Sequence, residues 1–236
     1  MLDKRSHQIQ RMFASVAHRY DFLNRLLSLS IDQLWRRFTR RKLDQRLGSG
    51  SVILDLCTGT GDLAIELSRI AAVIGCDFCH PMLVRGVEKS LRKDLANRIE
   101  FAEGDALQLP FASARFDAVT IAFGLRNLEH YETGIREMYR VLNDTGYLAI
   151  LEFSIPKWPV YRQLYLFYFT KILPRIGALV SGKDGPYSYL PASVKEFPSV
   201  EALKEMLLSV GFKEVVAYPL TGGIATLHLA SKRRMG

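Results

Sequence analysis

Apolar residues gather into short unbroken runs through the middle of the chain, and between these runs they return every three or four positions. Short runs predict buried strands, and the wider spacing predicts helices that lay one face on them. Strands are expected at 51–56, 73–77, 98–103, 116–123 and 146–153, and helices at 62–70, 81–93, 131–142 and 200–210. In the 131–142 helix the inward stripe is Ile135, Met138, Val141 and Leu142. Strand alternating with helix builds a parallel sheet covered on both faces. Two further strands, 213–219 and 224–231, are joined only by Leu220-Thr-Gly-Gly, which suits a hairpin, so one of them runs against the others. The fold class is α/β: a doubly wound, mostly parallel seven-stranded sheet whose last strand pair is antiparallel.

Two segments depart from the alternation. Ile9, Met12, Phe13, Val16 and Tyr20 recur at helical spacing, and Leu34, Trp35 and Phe38 sit among arginines, so residues 1–46 form amphipathic helices. Their apolar faces rest on the core or on lipid headgroups. Eleven basic and four acidic residues fall within these 46 positions, against 21 and 20 in the remainder of a chain whose net charge is +8. Attraction to nucleic acid or anionic lipid would be directed by this segment; a solvated helix face is the plain alternative. The second departure, 154–198, carries Trp158, Tyr161, Tyr165, Phe167 and Phe169 with Arg162, Lys171 and Arg175 between and after them. It is too interrupted to span a bilayer, and reads as an inserted lid for an apolar acceptor, as a homodimer interface or as an extra core helix.

A chain of 236 residues with 48% hydrophobic content can bury roughly 70% of its unfolded surface, so 1–236 is expected to be one domain that needs no metal or disulfide. The three cysteines, at 57, 76 and 79, and a start lacking an apolar export core imply a reducing cytosol. No run of 18 apolar residues occurs. Cys76-Asp-Phe-Cys79-His80 has the local form of a haem-attachment site, but it straddles the acid that ends a strand and has no export signal. Zinc would need a second ligand pair, so no metal site is expected.

The chemistry concentrates where the first strand ends. Val52-Ile-Leu-Asp-Leu-Cys-Thr-Gly-Thr-Gly-Asp62 runs an apolar strand, carrying Asp55, into a glycine loop. Gly59 and Gly61 let the backbone turn sharply and approach a ligand, and the helix that follows points N–H groups toward it. Asp77 ends the second strand, about 20 residues past the loop, where a carboxylate can accept from ribose hydroxyls, and Asp105 follows the third. Gly59-Thr-Gly61-Asp-Leu-Ala64 also fits the dinucleotide pattern, but a pyrophosphate wants donors and no acid. S-adenosylmethionine carries a sulfonium and an ammonium, and Asp55 suits the ammonium. S-adenosylmethionine is accordingly the expected cofactor, ahead of a nicotinamide or flavin.

Several further stretches carry a family resemblance across nearly the whole length. Phe13-Ala-Ser-Val-Ala-His-Arg-Tyr-Asp-Phe-Leu-Asn24, Leu54-Asp-Leu-Cys-Thr-Gly-Thr-Gly-Asp62, Phe123-Gly-Leu-Arg-Asn127, Tyr139-Arg-Val-Leu142 and Leu173-Pro-Arg-Ile-Gly177 resemble the quinone-biosynthesis C-methyltransferases, which act on demethylmenaquinol and a ubiquinol precursor. The resemblance implies a class I S-adenosylmethionine-dependent methyltransferase whose cofactor contacts include Thr60, Asp77, Asp105 and Ala106. Ala122 stands where relatives often carry a contacting serine, and Cys57 and Thr58 replace small residues of the loop.

Methyl transfer from a sulfonium is an in-line displacement, so the protein mainly holds an electron-rich carbon against the methyl. A quinol supplies one when its phenolic proton is withdrawn, and a cation beside that oxygen assists. Arg126, past the fourth strand at the carboxyl end of the sheet, is the candidate cation, with a salt bridge to Glu129 or another surface acid as its plain alternative. Asn127 is the candidate for orienting the same oxygen, and Tyr20, His130 or a water for taking the proton. The expected partners are a lipid-soluble quinol and, peripherally, the anionic inner face of a membrane, with no nucleic acid. A phenol O-methyltransferase is the main competitor. An RNA methyltransferase would carry an Asn-Pro-Pro-aromatic or Asp-Pro-Pro-aromatic loop, or a cysteine in the second half, and neither is present.

Overall fold

The computed structural model describes residues 6–16, 18, 21, 25, 28–172, 175 and 185–234. Seven strands form one sheet: β1 Val52–Leu56, β2 Ala72–Asp77, β3 Ile99–Glu103, β4 Phe116–Ala122, β5 Leu142–Phe153, β6 Glu214–Leu220 and β7 Ala225–Ser231. Their order across the sheet is β3-β2-β1-β4-β5-β7-β6. The first five run parallel, and β7 lies antiparallel to both β5 and β6. The expected strand against the sheet is therefore β7, held by the turn Thr221–Gly223.

Period-two alternation sends neighbouring residues of each strand to opposite faces, and two cores result. Leu54, Leu56, Val119, Ile121, Leu148 and Ile150 pack with Ile135, Met138 and Val141 of one helix and Leu203 and Leu207 of another. Ile53, Val73, Ala118, Ala149 and Leu151 face the other way, against Trp35, Leu43, Leu63 and Leu67.

Among the described residues the helices, in chain order, are α1 Ser6–Val16, α2 Ile31–Asp44, α3 Asp62–Leu67, α4 His80–Leu91, α5 Tyr131–Val141, α6 Pro159–Phe167, α7 Gly185–Glu196 and α8 Val200–Val210. A π-helical turn, Tyr168–Ile172, extends α6. Helix α8 starts where Ser199 Oγ accepts from the Ala202 N–H and stops at Gly211, as capping preferences require. Helix α3 is shorter than its sequence pattern because Ser68, Arg69 and Ile70 close a turn instead. Strand β5 begins at Leu142 rather than 146, since Leu142 pairs with Phe116 ahead of a register shift.

The amphipathic N-terminal segment divides. Trp35, Thr39 and Leu43 of α2 are buried, so that helix rests on the core, while Leu34 is 58% exposed. The Trp35 indole donates to Thr221 Oγ1 at 2.9 Å, tying α2 to the β6–β7 turn. In α1, Ile9 is buried, and Gln10 donates to the Phe78 carbonyl at 2.8 Å. The N-terminal helix thereby closes over the carboxyl ends of the parallel strands. Among the described residues no helix is long and apolar enough to cross a membrane.

Candidate functional site

At the carboxyl ends of β1, β2 and β4 a crevice of ≈ 780 Å³, open mouth included, is lined by the glycine loop, Asp77, Asp105, Phe123 and Asn127 and roofed by Ile9 and Phe13 of α1. Three carboxylates, Asp77, Asp105 and Glu129, reach it, and its lining among the described residues holds no cationic side chain. A smaller cavity shares Cys57, Gly59, Ala122 and Phe123 with it and adds Asp55, Thr60, Asp62 and Arg36. The two lie on either side of the Cys57–Gly59 turn.

That turn is conformationally demanding. Gly61 sits at φ 77°, and a Cβ there would come 3.1 Å from the Phe101 ring. Cys57 and Phe123, at the ends of adjacent strands, also adopt left-handed backbone, at φ 49° and 58°. Non-glycine residues hold such angles only where their surroundings over-determine them, a situation common at ligand sites. A Cβ on Gly124 would meet the Cys57 Cβ at 2.4 Å, so glycine lets the two strand ends close together.

Asp77 does more than the sequence implied. Its two oxygens accept from the Gly59 N–H at 2.8 Å and the Cys79 N–H at 2.9 Å, pinning the glycine loop to the start of α4. The Gly59 N–H is thus spent on the protein, a correction to the expectation of loop amides offered to a ligand. An ionised carboxylate has lone pairs beyond two bonds, and Asp77 lines the crevice with them. Burial pushes its pKa up, against the opposing backbone donors. Asp105 accepts from the Leu107 N–H at 2.9 Å and holds the loop after β3 at the rim, with Ala106 buried beside it.

Asp55 lies in the smaller cavity, 1% exposed, where Thr58 Oγ1 and Thr120 Oγ1 donate to its two oxygens at 2.7 and 2.6 Å. Burial pushes it up to about 6, with both hydroxyls and Arg36 acting in the opposite sense. Thr60 turns away from the larger crevice: its hydroxyl donates to Asp21 at 2.5 Å and accepts from Lys89 at 3.0 Å. Lys89 also reaches Asp21 and Asp62, each at 2.6 Å, so one ammonium links the N-terminal segment, the glycine loop and α4. Arg36 was not anticipated. It pairs with Asp32, lies over the Phe123 ring at 5.5 Å and keeps a buried Nε without a hydrogen-bond partner among the described residues. Only its place in an amphipathic helix could have pointed to it.

Arg126 departs from its expected role as a free cation. It is buried, its Nη1 lies 2.8 Å from Glu152 Oε1 and also donates to the Phe123 carbonyl, and its backbone N–H reaches Glu152 Oε2 at 3.3 Å. Its carboxylate partner is not Glu129 or another surface acid but a buried acid on β5, within reach because β4 and β5 are neighbours. Asn127 does line the crevice, its amide donating to the Phe123 carbonyl at 3.4 Å. His130 ends up exposed at the start of α5. Tyr20 lies outside the described residues. Burial raises Cys57, Cys76 and Cys79 above the usual thiol range, so all three stay protonated. No metal-binding cluster is found among the described residues.

The aromatic segment divides as well. Tyr165 and Phe169 turn inward, stacked at 5.0 Å, and Phe169 continues through Phe153 to Phe123 at ring separations of 5.9 and 4.7 Å. Trp158, Val160, Leu164 and Phe167 point outward, 61–78% exposed.

A sheet of this order with one reversed strand, closing an acid-lined crevice beside a glycine loop, defines a class I S-adenosylmethionine-dependent methyltransferase. Solved structures share the fold: a methyltransferase described as S-adenosyl-L-methionine-dependent from Methanococcus maripaludis superposes with a TM-score of 0.65 at 16% identity, covering 94% of each chain. One from Thermotoga maritima gives 0.64 at 16% identity over 94% of this chain and 99% of its own. Residues 1–232 match the ubiE/COQ5 methyltransferase family, and the chain belongs to that family. It is 45% identical to the ubiquinone/menaquinone biosynthesis C-methyltransferase UbiE of Geotalea uraniireducens over 98% of this chain and 99% of the relative. It is 46% identical to the demethylmenaquinone methyltransferase of Deinococcus radiodurans, over 95% and 92% respectively.

Proposed function

We propose that the protein transfers the methyl group of S-adenosylmethionine to a ring carbon of a polyprenyl quinol, demethylmenaquinol foremost and the ubiquinol precursor second. The single observation that carries this reading is a crevice lined, among the described residues, by three carboxylates and no cation, which suits a sulfonium nucleoside and repels a pyrophosphate. When bound, the donor supplies an electrophilic methyl on sulfur. Asp77 accepts from the ribose hydroxyls and Asp105 from the base. The amino-acid end fits the smaller cavity, where Asp55 holds the ammonium and the unpartnered Arg36 Nε takes the carboxylate.

On the acceptor side the ring loses a phenolic proton to solvent, and its adjacent carbon forms a bond to the methyl as the carbon–sulfur pair returns to sulfur. The proton on that carbon then leaves and the ring becomes aromatic again. Trp35, Phe123 and Phe153 form an apolar wall for such a ring. The outward face of α6, with Lys157 and Arg162 beside its apolar residues, rests on an anionic membrane surface from which the acceptor is drawn. Incubation with S-adenosylmethionine and a short-chain demethylmenaquinol, kept reduced or deliberately oxidised, tests the reading. S-adenosylhomocysteine should form with the reduced acceptor alone; formation with neither overturns it.

A further inference from the structure

Around the Leu125–Asn127 turn, at the edge of the crevice that Asn127 lines, lies a group of buried polar atoms. Arg126 Nε, Asn127 Oδ1, Tyr165 Oη and Tyr189 Oη are buried and find no hydrogen-bond partner among the described residues. They belong to elements that pack against one another. Arg126 and Asn127 sit on the turn after β4, Tyr165 on α6, and Tyr189 on α7, which packs against that turn and against the π-helical turn. Both tyrosines lie close enough to the Arg126–Glu152 pair to feel its charges. Buried polar groups in native proteins are nearly always satisfied, so four orphans on elements packed about the Arg126–Glu152 pair call for an occupant.

The surroundings define the occupant's chemistry. Tyr165 stacks on Phe169, Phe169 leads to Phe153, and the Arg126 guanidinium lies over the Phe153 ring at 5.5 Å. An apolar aromatic wall with three donors and one acceptor fits a flat ring bearing oxygen. Glu152 Oε1 accepts from both Arg126 Nη1 and the Phe153 N–H, which holds the guanidinium fork still. Burial pushes Tyr189 up to about 12 and raises Tyr165 as well, so each keeps its proton and serves as a donor rather than a base.

We infer that Tyr165 and Tyr189 contact the acceptor, their hydroxyls donating hydrogen bonds with Arg126 Nε–H to the ring oxygen beside the methylated carbon. This rests on the acceptor being a hydroxylated ring, as proposed above. Donors fixed in a dry pocket stabilise the negative charge that gathers on that oxygen as the ring becomes nucleophilic. Phenolic segments that looked like lid material thus supply recognition of oxygen.

Calorimetric titration with 1-naphthol and with 1-methylnaphthalene, S-adenosylhomocysteine being present, isolates the oxygen contact from turnover and from apolar fit. The wild-type protein should favour 1-naphthol, and Tyr165→Phe should narrow that preference about five- to tenfold, the size of one lost hydrogen bond. Tyr189→Phe should narrow it similarly, and neither should change affinity for S-adenosylhomocysteine. A merely structural role would weaken both ligands equally. No preference in the wild type, or a preference that neither substitution moves, overturns the inference. Because no methyl is transferred in this experiment, its outcome stands apart from whether a quinol is the acceptor.

Discussion

Arg126 and Glu152 form a buried ion pair, 2.8 Å apart with side chains 7% and 2% exposed, at the junction of β5 and the turn that follows β4. Removing one member leaves the other charged and unsolvated. Arg126→Met should therefore cost about 3–5 kcal/mol of stability, while Arg126→Met combined with Glu152→Leu should recover most of it. Denaturant unfolding of both variants measures this. Equal losses in the two would show that the pair contributes little, and would return Arg126 to the role of an independent cation.

Asp55 links cofactor binding to acidity. Its carboxyl is pushed up to about 6 from 3.8 by burial, against the pull of the Thr120 and Thr58 hydroxyls and Arg36, with Asp77 adding to the rise. Between those two values the native state holds a proton that the unfolded chain has released, so this group's contribution to stability declines as pH rises through the window. A bound ammonium reverses the preference, because it favours the ionised carboxylate. Affinity for S-adenosylmethionine should fall about tenfold per unit as pH drops below about 6 and level off above it. Asp55→Asn should bind weakly at every pH, without the slope. Calorimetry between pH 5 and about 7.5 would reveal it, and a wild-type affinity flat across that range would separate Asp55 from the ammonium.

Gly124 allows the β1 and β4 ends to approach. A Cβ there would stand 2.4 Å from the Cys57 Cβ, whereas one on Gly48 would have nothing within 4 Å. Gly124→Ala should displace the Cys57 turn and lower cofactor affinity at least about tenfold, with a stability loss of about 1–3 kcal/mol. Gly48→Ala should do neither. Intact affinity in the Gly124 variant would mean that the turn can yield without disturbing the crevice.

The outward face of α6 carries Val160, Leu164 and Phe167 beside Trp158. Leu164→Asp with Phe167→Asp should reduce co-sedimentation with anionic vesicles at least about tenfold, because each change removes an inserted apolar group and adds repulsion. Turnover of a water-soluble acceptor should be untouched, since neither side chain faces inward. If the wild-type protein ignores vesicles at low salt and self-associates through this face instead, α6 serves as a subunit interface.

The sheet and the glycine loop were legible in the sequence because each depends on neighbours along the chain. A strand of the pattern Val-Ile-Leu-Asp-Leu followed by paired glycines declares both its burial and its turn. What long-range pairing decides was not legible. Glu152 sits 26 residues from Arg126, and only β4–β5 adjacency brings them together. The Asp77 staple to Gly59 spans 18 residues and consumes an amide that local reasoning left free. Tyr165 and Phe167 belong to one aromatic stretch, yet one is buried and the other 61% exposed, because helical rotation, not composition, assigns the face.

The central claim is methylation at carbon. Reaction of the protein with methyl-labelled S-adenosylmethionine and a short-chain demethylmenaquinol, followed by carbon NMR of the extracted product, reads the position of the new methyl directly. The label should appear on the aromatic ring carbon beside a hydroxyl. A label on oxygen, giving a quinol ether, would contradict the account and make the protein an O-methyltransferase.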